Sequence, residues 1–355
     1  MWKIRNTLSH KSTTFLNSKV FFRADGSNIK GLGHIVRCLS VIEMIKEQFN
    51  CLMIVNNTEE QVFQYISQTC QVIDIRVHSA QQENEALMNL LTQNDILVLD
   101  GYDFNEVYQQ SVKKLVKKLV AIDDLADKKF EADVIFNHGD IKALPPYKIP
   151  LNAKVLSGFD YLIVRPEFLN AVEKKRNVTV VDTVFICMGG ADPFNITVKI
   201  LEAAIQCTFI KKAIVVTGSL YKNKNTLQHL ISLSNEMKIE HIENASAAQI
   251  VNCIQQSQLA VSTASSVSLE ICCVKAALLC GTVVDNQKCI HSLLVQNECC
   301  ISIGNWIHAS VDKIKNQLEA MNDIFLVNRI MGMQRHSIDG RSGERIHKIF
   351  NELAA

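Results

Sequence analysis

Short unbroken apolar runs alternate along this chain with stretches whose apolar residues recur every three or four positions. In the first half, the runs at 20–23, 52–56, 72–77, 96–100, 119–123 and 134–137 read as strands. The segments between them, 34–47, 59–68, 82–91 and 106–118, place apolar residues along one helical face. Strands that are apolar at nearly every position, joined through helices, predict a parallel sheet covered on both faces. In such sheets ligands bind beyond the carboxyl ends of the strands.

The rhythm breaks and then restarts. Pro145, Pro146 and Pro150 fall close together, and a polar stretch at 173–177 follows. Beyond it, 184–188, 213–217, 259–262 and 277–280 read as strands, and 195–204, 247–255, 267–274 and 344–353 as helices. The expected fold class is α/β, with two Rossmann-like βαβ domains facing a cleft. The expected division is an N-terminal extension at 1–18, a first domain at 19–175, and a second at 176–355 that carries the last helix. Residues 1–18 contain no Asp or Glu and lack the apolar core of a secretory signal, so none is expected there. A plain extension and a targeting presequence both remain compatible with them.

At 355 residues, 48% of them hydrophobic, the chain can bury two cores. The net charge of +1 indicates neither a nucleic acid nor a membrane surface as partner. There is no apolar run of about 18 residues, so no membrane span is expected. The twelve cysteines include no C-x-x-C pair, and no metal-ligand cluster stands out. Buried thiols in a reducing cytoplasm are the expectation, with no cofactor, no metal and no obligate protein partner.

The candidate chemistry gathers at strand ends. After the first run come Arg23-Ala24-Asp25 and then Gly31-Leu32-Gly33-His34, with His34 in the first turn of a helix. Unpaired N–H groups carry partial positive charge there, which favours a neutral imidazole able to accept a proton. The same residues also fit an ordinary glycine turn bearing a surface histidine. Asp100-Gly101-Tyr102 and Asp123-Asp124 end two further strands at the same sheet edge, either as site residues or as caps of the next helices. In the second half, Gly189-Gly190 ends a strand. Ser265-Ser266 opens a helix able to receive a phosphate, or serves as a plain N-cap, and Glu270 lies one turn on.

As a set, these motifs resemble a known family. They are Arg23-Ala24-Asp25, Gly31 to Leu39, Ile122 to Asp127, Val164 to Phe168, Met188 to Pro193, Ser265 to Glu270 and Asp285-Asn286-Gln287. In this order, over about 19–350, they are similar to the UDP-sugar hydrolases of the pseudaminic acid pathway. Those enzymes act on UDP-2,4-diacetamido-2,4,6-trideoxy-β-L-altropyranose, and spore-coat polysaccharide proteins share several of the motifs. The resemblance implies a glycosyltransferase-B fold and metal-independent release of UDP and free sugar with inversion. It implies His34 as catalytic base and Tyr102 near the sugar, with Asp25 and Arg23 orienting the loop or the sugar. It further implies substrate contacts from Gly31, Gly33, Gly189, Gly190, Ser265, Ser266, Glu270 (on ribose), Asn286 and Gln287. Gly101 stands where the family often has His or Ser. The alternatives are a glycosyltransferase of the same fold in surface or spore-coat polysaccharide synthesis, and a non-catalytic nucleotide-sugar-binding protein.

Overall fold

The computed structural model describes residues 3–5, 18–26 and 32–355. It divides into two units, Met1–Pro166 with Arg341–Ala355, and Glu167–Gly340.

The first unit is built on a sheet that contains, among the described residues, β1 (Lys3–Arg5), β2 (Lys19–Ala24), β3 (Asn50–Val55), β4 (Gln71–Asp74), β5 (Ile96–Asp100), β6 (Lys118–Ile122), β7 (Val134–Asn137) and β8 (Lys154–Ser157). Their spatial order is β1-β4-β3-β2-β5-β6-β7-β8. β2 to β8 pair in parallel, and β1 adds an antiparallel edge against β4. The helices between the strands are α1 (Gly33–Ile45), α2 (Glu60–Ser67), α3 (Ala80–Leu90) and α4 (Glu106–Lys113). The stretch expected to be a plain extension therefore contributes a strand. Residues 6–17 of it lie outside the described residues.

Alternation along the strands sorts side chains onto two faces. Val20, Phe22, Ile96 and Val98 pack with α1 and α2, while Phe21, Leu52, Leu97 and Leu99 pack with α3 and α4. α3 begins at Ser79 and α4 at Asn105, and each side chain accepts a backbone N–H of the first turn, from Gln82 and Tyr108.

The second unit holds β9 (Thr183–Cys187), β10 (Lys212–Thr217), β11 (Lys238–Glu243), β12 (Leu259–Thr263), β13 (Ala277–Thr282) and β14 (Cys300–Asn305). All pair in parallel, in the order β11-β10-β9-β12-β13-β14. A short helix α5 (Pro166–Ala171) precedes them. The sheet is flanked by α6 (Ile196–Ile205), α7 (Lys224–Leu233), α8 (Ala247–Gln256), α9 (Ser266–Val274), α10 (Lys288–Gln296), α11 (Val311–Ala320) and α12 (Ile324–Ser337).

The last helix, α13 (Ser342–Ala354), departs from the expected division. Its Ile346, Ile349, Phe350 and Leu353 join the core of the first unit, beside α1. Phe350 stacks on Phe136 of β7 at 6.4 Å and meets Phe49 edge-on at 6.2 Å. The helix has apolar residues on one face only, and the α1 surface is where that face is covered.

All twelve cysteines are buried, and none forms a disulfide. Among the described residues, no helix is long and apolar enough to cross a membrane.

Candidate functional site

In an open parallel sheet, a crevice forms where strands that are neighbours in space send their connections in opposite directions. In the first unit this point lies between β2 and β5, because β3 and β4 continue to one side and β6 and β7 to the other. β2 leads to α1 and His34, and β5 ends at Asp100 and runs on to Tyr102.

The residues at that point form one network. His34 Nδ1 lies 2.7 Å from Asp100 Oδ1. Asp100 only accepts and Arg37 Nη2, 3.3 Å from the same nitrogen, only donates; the shorter contact, to Asp100, places the proton on Nδ1, and in the neutral ring Nε2 is left as an acceptor. Arg37, one turn along α1, donates from Nε to Asp100 Oδ2 at 2.7 Å and from Nη2 to Oδ1 at 2.5 Å. Arg37 also donates from Nη1 to Asp124 Oδ2 at 3.0 Å. Tyr102 donates its hydroxyl to the same oxygen at 3.3 Å, and its ring meets the His34 ring edge-on at 4.8 Å. Asp100 is wholly buried, whereas the His34 side chain is 17% exposed. The pair thus has a fixed inner end and an imidazole that reaches solvent.

Electrostatics hold the inner end charged. Burial would raise the Asp100 pKa, but Arg37 and then His34 outweigh it and lower it to about 2. Burial likewise works against the Arg37 charge, and Asp100 and Asp124 more than restore it. A second histidine, His138 just past β7, is buried with Nδ1 unbonded. Burial first and Arg37 second lower its pKa to about 4, so it stays neutral beside the network.

Two readings of the aspartates separate here. Asp100 does not cap α4, since Asn105 does, and its carboxylate serves Arg37 and His34 instead. Asp123 caps no helix either, for none of the described helices lies between β6 and β7, and its carboxylate holds the loop that joins them. Its Oδ2 accepts from Leu125 N, Ala126 N and the Tyr147 hydroxyl at 3.1, 2.7 and 2.8 Å.

Arg23 and Asp25, expected to orient the loop or the sugar, bond to each other on the other face of the sheet. Alternation along β2 turns Arg23 to the α3 and α4 side, away from α1. There Arg23 donates from Nη1 to Asp25 Oδ1 at 2.6 Å and from Nε to Glu83 Oε1 at 2.9 Å. Asp25 Oδ1 also accepts the Asn56 N–H at 2.9 Å. Gly33 opens α1 with ordinary helical backbone, and a Cβ there would meet nothing within 4 Å. Neither strain nor protein crowding therefore requires a glycine at that position. Gly31 lies outside the described residues.

In the second unit the corresponding point lies between β9 and β12. Gly189 and Gly190 follow β9, and Gly189 has φ +91, a conformation that favours glycine. The β10 end approaches closely, for a Cβ on Gly218 would lie 2.5 Å from Gly190 O. Asp192 caps α6, accepting from Ile196 N and Thr197 N at 2.9 and 2.7 Å. After β12, Ser265 precedes α9. Its N–H donates to Ser268 Oγ at 3.2 Å, one half of a capping box, and its Oγ lies 3.1 Å from Thr263 Oγ1. Ser266 is the first helical residue, and Glu270 is buried one turn later. Asn286 and Gln287 follow β13, where Gln287 Oε1 accepts the Val283 N–H at 2.7 Å and so holds its own turn.

Sequence reasoning assigned no role to Arg37, Glu83, Tyr108 or His138. Arg37 was legible, since it lies three residues after His34 on one helical face. The others carry no local signal.

Solved structures share this two-sheet architecture. MurG of Acinetobacter baumannii matches with a TM-score of 0.68 at 12% identity, covering 94% of this chain and 99% of that one. A glycosyltransferase from Rickettsia africae matches with a TM-score of 0.64 at 12% identity, covering 95% and 99%. The fold is that of the GT-B glycosyltransferases. In sequence, this GT-B chain is similar to the UDP-2,4-diacetamido-2,4,6-trideoxy-β-L-altropyranose hydrolase of Campylobacter jejuni. The two are 26% identical over 276 residues, 76% of this chain and 93% of the relative. The spore coat polysaccharide biosynthesis protein SpsG of Bacillus subtilis is 25% identical over 291 residues, 79% of this chain and 82% of that one. No protein-family model matches the chain.

Proposed function

We propose that this chain binds a UDP-linked 2,4-diacetamido-2,4,6-trideoxy sugar and breaks the anomeric C–O bond with water, releasing UDP and the free sugar. The observation that carries the reading is the His34–Asp100 pair at the strand switch of the first sheet, 2.7 Å apart with the histidine reaching solvent. The similarity to the Campylobacter jejuni hydrolase supports the substrate class.

In this reading Asp100 keeps the proton of His34 on Nδ1, and Nε2 takes a proton from water as the water attacks C1. Tyr102, edge-on to His34, stands beside the reacting sugar. UDP is a good leaving group, so what it needs is stabilisation of charge on the diphosphate as the bond lengthens. The N-terminus of α9 follows β12, and a helix start favours an anion. The phosphates are assigned to the Gly189-Gly190 turn and to Ser265-Ser266, and the ribose to Glu270, with Asn286 nearby. Attack opposite the departing UDP inverts C1.

The test is incubation with UDP-sugars and no acceptor in ¹⁸O-labelled water. Label in the sugar alone, with inverted configuration in a prompt NMR spectrum, is the expected outcome. UDP release only when a sugar acceptor is added would favour the transferase reading, and binding without turnover would leave a binding protein.

A further inference from the structure

The Arg23 side of the first sheet carries a feature that the reaction above leaves unused. A cavity of about 700 Å³ opens at the carboxyl edge between α3 and α4, within the first unit. Its walls include Arg23, Asp25, Asn56, Glu83, Asn84 and Tyr108. Its size falls in the usual range for small-molecule sites.

The polar wall is held in place. The Arg23 side chain is 2% exposed and bridges Asp25 and Glu83, with Phe104 packed 5.2 Å beneath its guanidinium. Glu83 Oε1 also accepts the Tyr108 hydroxyl at 2.8 Å. Locking a buried cation between two carboxylates and a phenol costs side-chain entropy and desolvation. A packed apolar contact between β2 and α3 would have held the fold without that cost.

The chemistry of the wall selects a ligand class. One guanidinium faces two carboxylates, so the wall offers no excess of positive charge for a phosphate. Asp25 and Glu83 already share Arg23, which weakens their pull on a cation, and Asp103 adds a third carboxylate to the lining. Carboxylate oxygens, the side-chain amides of Asn56, Gln81, Asn84 and Asn105 and the Tyr108 phenol are suited to a neutral molecule rich in hydroxyl and amide groups. We propose that this cavity is a saccharide-binding site separate from the one that holds the nucleotide-linked sugar. Separation follows from the strand geometry, because Arg23 and Asp100 belong to neighbouring strands and serve opposite faces of the sheet. The two faces meet at the loop after β5, where Tyr102 touches His34 while Asp103 and Phe104 line the cavity.

Saturation-transfer NMR on the full chain, without nucleotide, tests this with methyl glycosides of neutral and N-acetylated hexoses as probes. Transfer to at least one glycoside at millimolar concentration is expected. V107W should reduce it by about fivefold or more, since Val107 lines the mouth, is 73% exposed and can carry a bulky ring without disturbing the core. A melting curve verifies that the variant is folded. The signal should persist when UDP-N-acetylglucosamine is added to saturation. No transfer from any probe, or undiminished transfer in folded V107W, overturns the proposal. Loss of the signal on adding the nucleotide sugar also overturns it, because the cavity would then be the donor sugar's own pocket. UDP binding in the same samples reports separately on the nucleotide reading.

Discussion

His34 and Asp100 stand 66 positions apart, yet the roles proposed for them depend on one hydrogen bond. His34→Asn should leave UDP affinity within a few fold and lower turnover by about 10² or more, the usual contribution of a general base. A calorimetric titration beside a UDP-release assay checks both halves. Asp100→Asn is a sharper probe. An amide can donate to Nδ1, which would move the ring proton to Nε2 and remove the base, so turnover should fall by about 10² to 10⁴. If Asp100 served only to hold Arg37, the folded variant would keep its rate and its pH profile.

Acid stability reports on the same neighbourhood. His138 is held neutral in the fold down to about pH 4, whereas an unfolded histidine takes up a proton near pH 6.5. The unfolded state therefore binds more protons between these values, and stability should fall as pH drops from about 6.5 to 4. Replacing His138 by Gln should flatten that part of a urea-midpoint curve against pH. Asp100 has its folded value lowered to about 2, so its contribution is present above about 4 and is lost on further acidification.

At the scale of elements, periodicity showed the central strands of both sheets, while the edge strands β8, β11 and β14 and the core-facing helices α11 and α12 were not read from it. β11 has the sequence KIEHIE and is only half-buried at the sheet edge, so it carries charge where an apolar run was sought. α7 buries only Leu227 and α10 buries Cys289, Ile290, Leu293 and Leu294, and neither was read as a helix. α13 was foreseen as a helix but given the wrong partner. An amphipathic face states that it must be covered and does not say by what. Phe350→Ala should cost about 3–5 kcal/mol in chemical denaturation, the range for truncating a buried aromatic. The loss should appear in the unfolding of the first unit, read from its hydrogen-exchange protection, and not in that of Glu167–Gly340.

For the whole molecule, the chain leaves the first unit at Pro166 and returns to it at Arg341. The second unit is one continuous segment with its own core, so residues 167–340 expressed alone should unfold in a single cooperative urea transition. Residues 1–166 alone leave the α1 surface uncovered and should bind a hydrophobic dye until a 341–355 peptide is supplied. A stable, dye-negative 1–166 fragment would show that α13 is dispensable to that core.

Much of this protein follows from local pattern. Alternating apolar runs and helical stripes dictate two parallel α/β sheets, because each period commits a segment to one backbone form and one buried face. The location of chemistry at strand ends also follows, and His34 and Tyr102 were recognised there as residues of interest. Strand order, by contrast, is a long-range matter, and it decided the rest. Placing β5 beside β2 brings Asp100 to His34 and Arg37, and turns Arg23 toward Glu83 on the opposite face. No spacing within a segment encodes those meetings, since they arise from contacts between residues 60 or more positions apart.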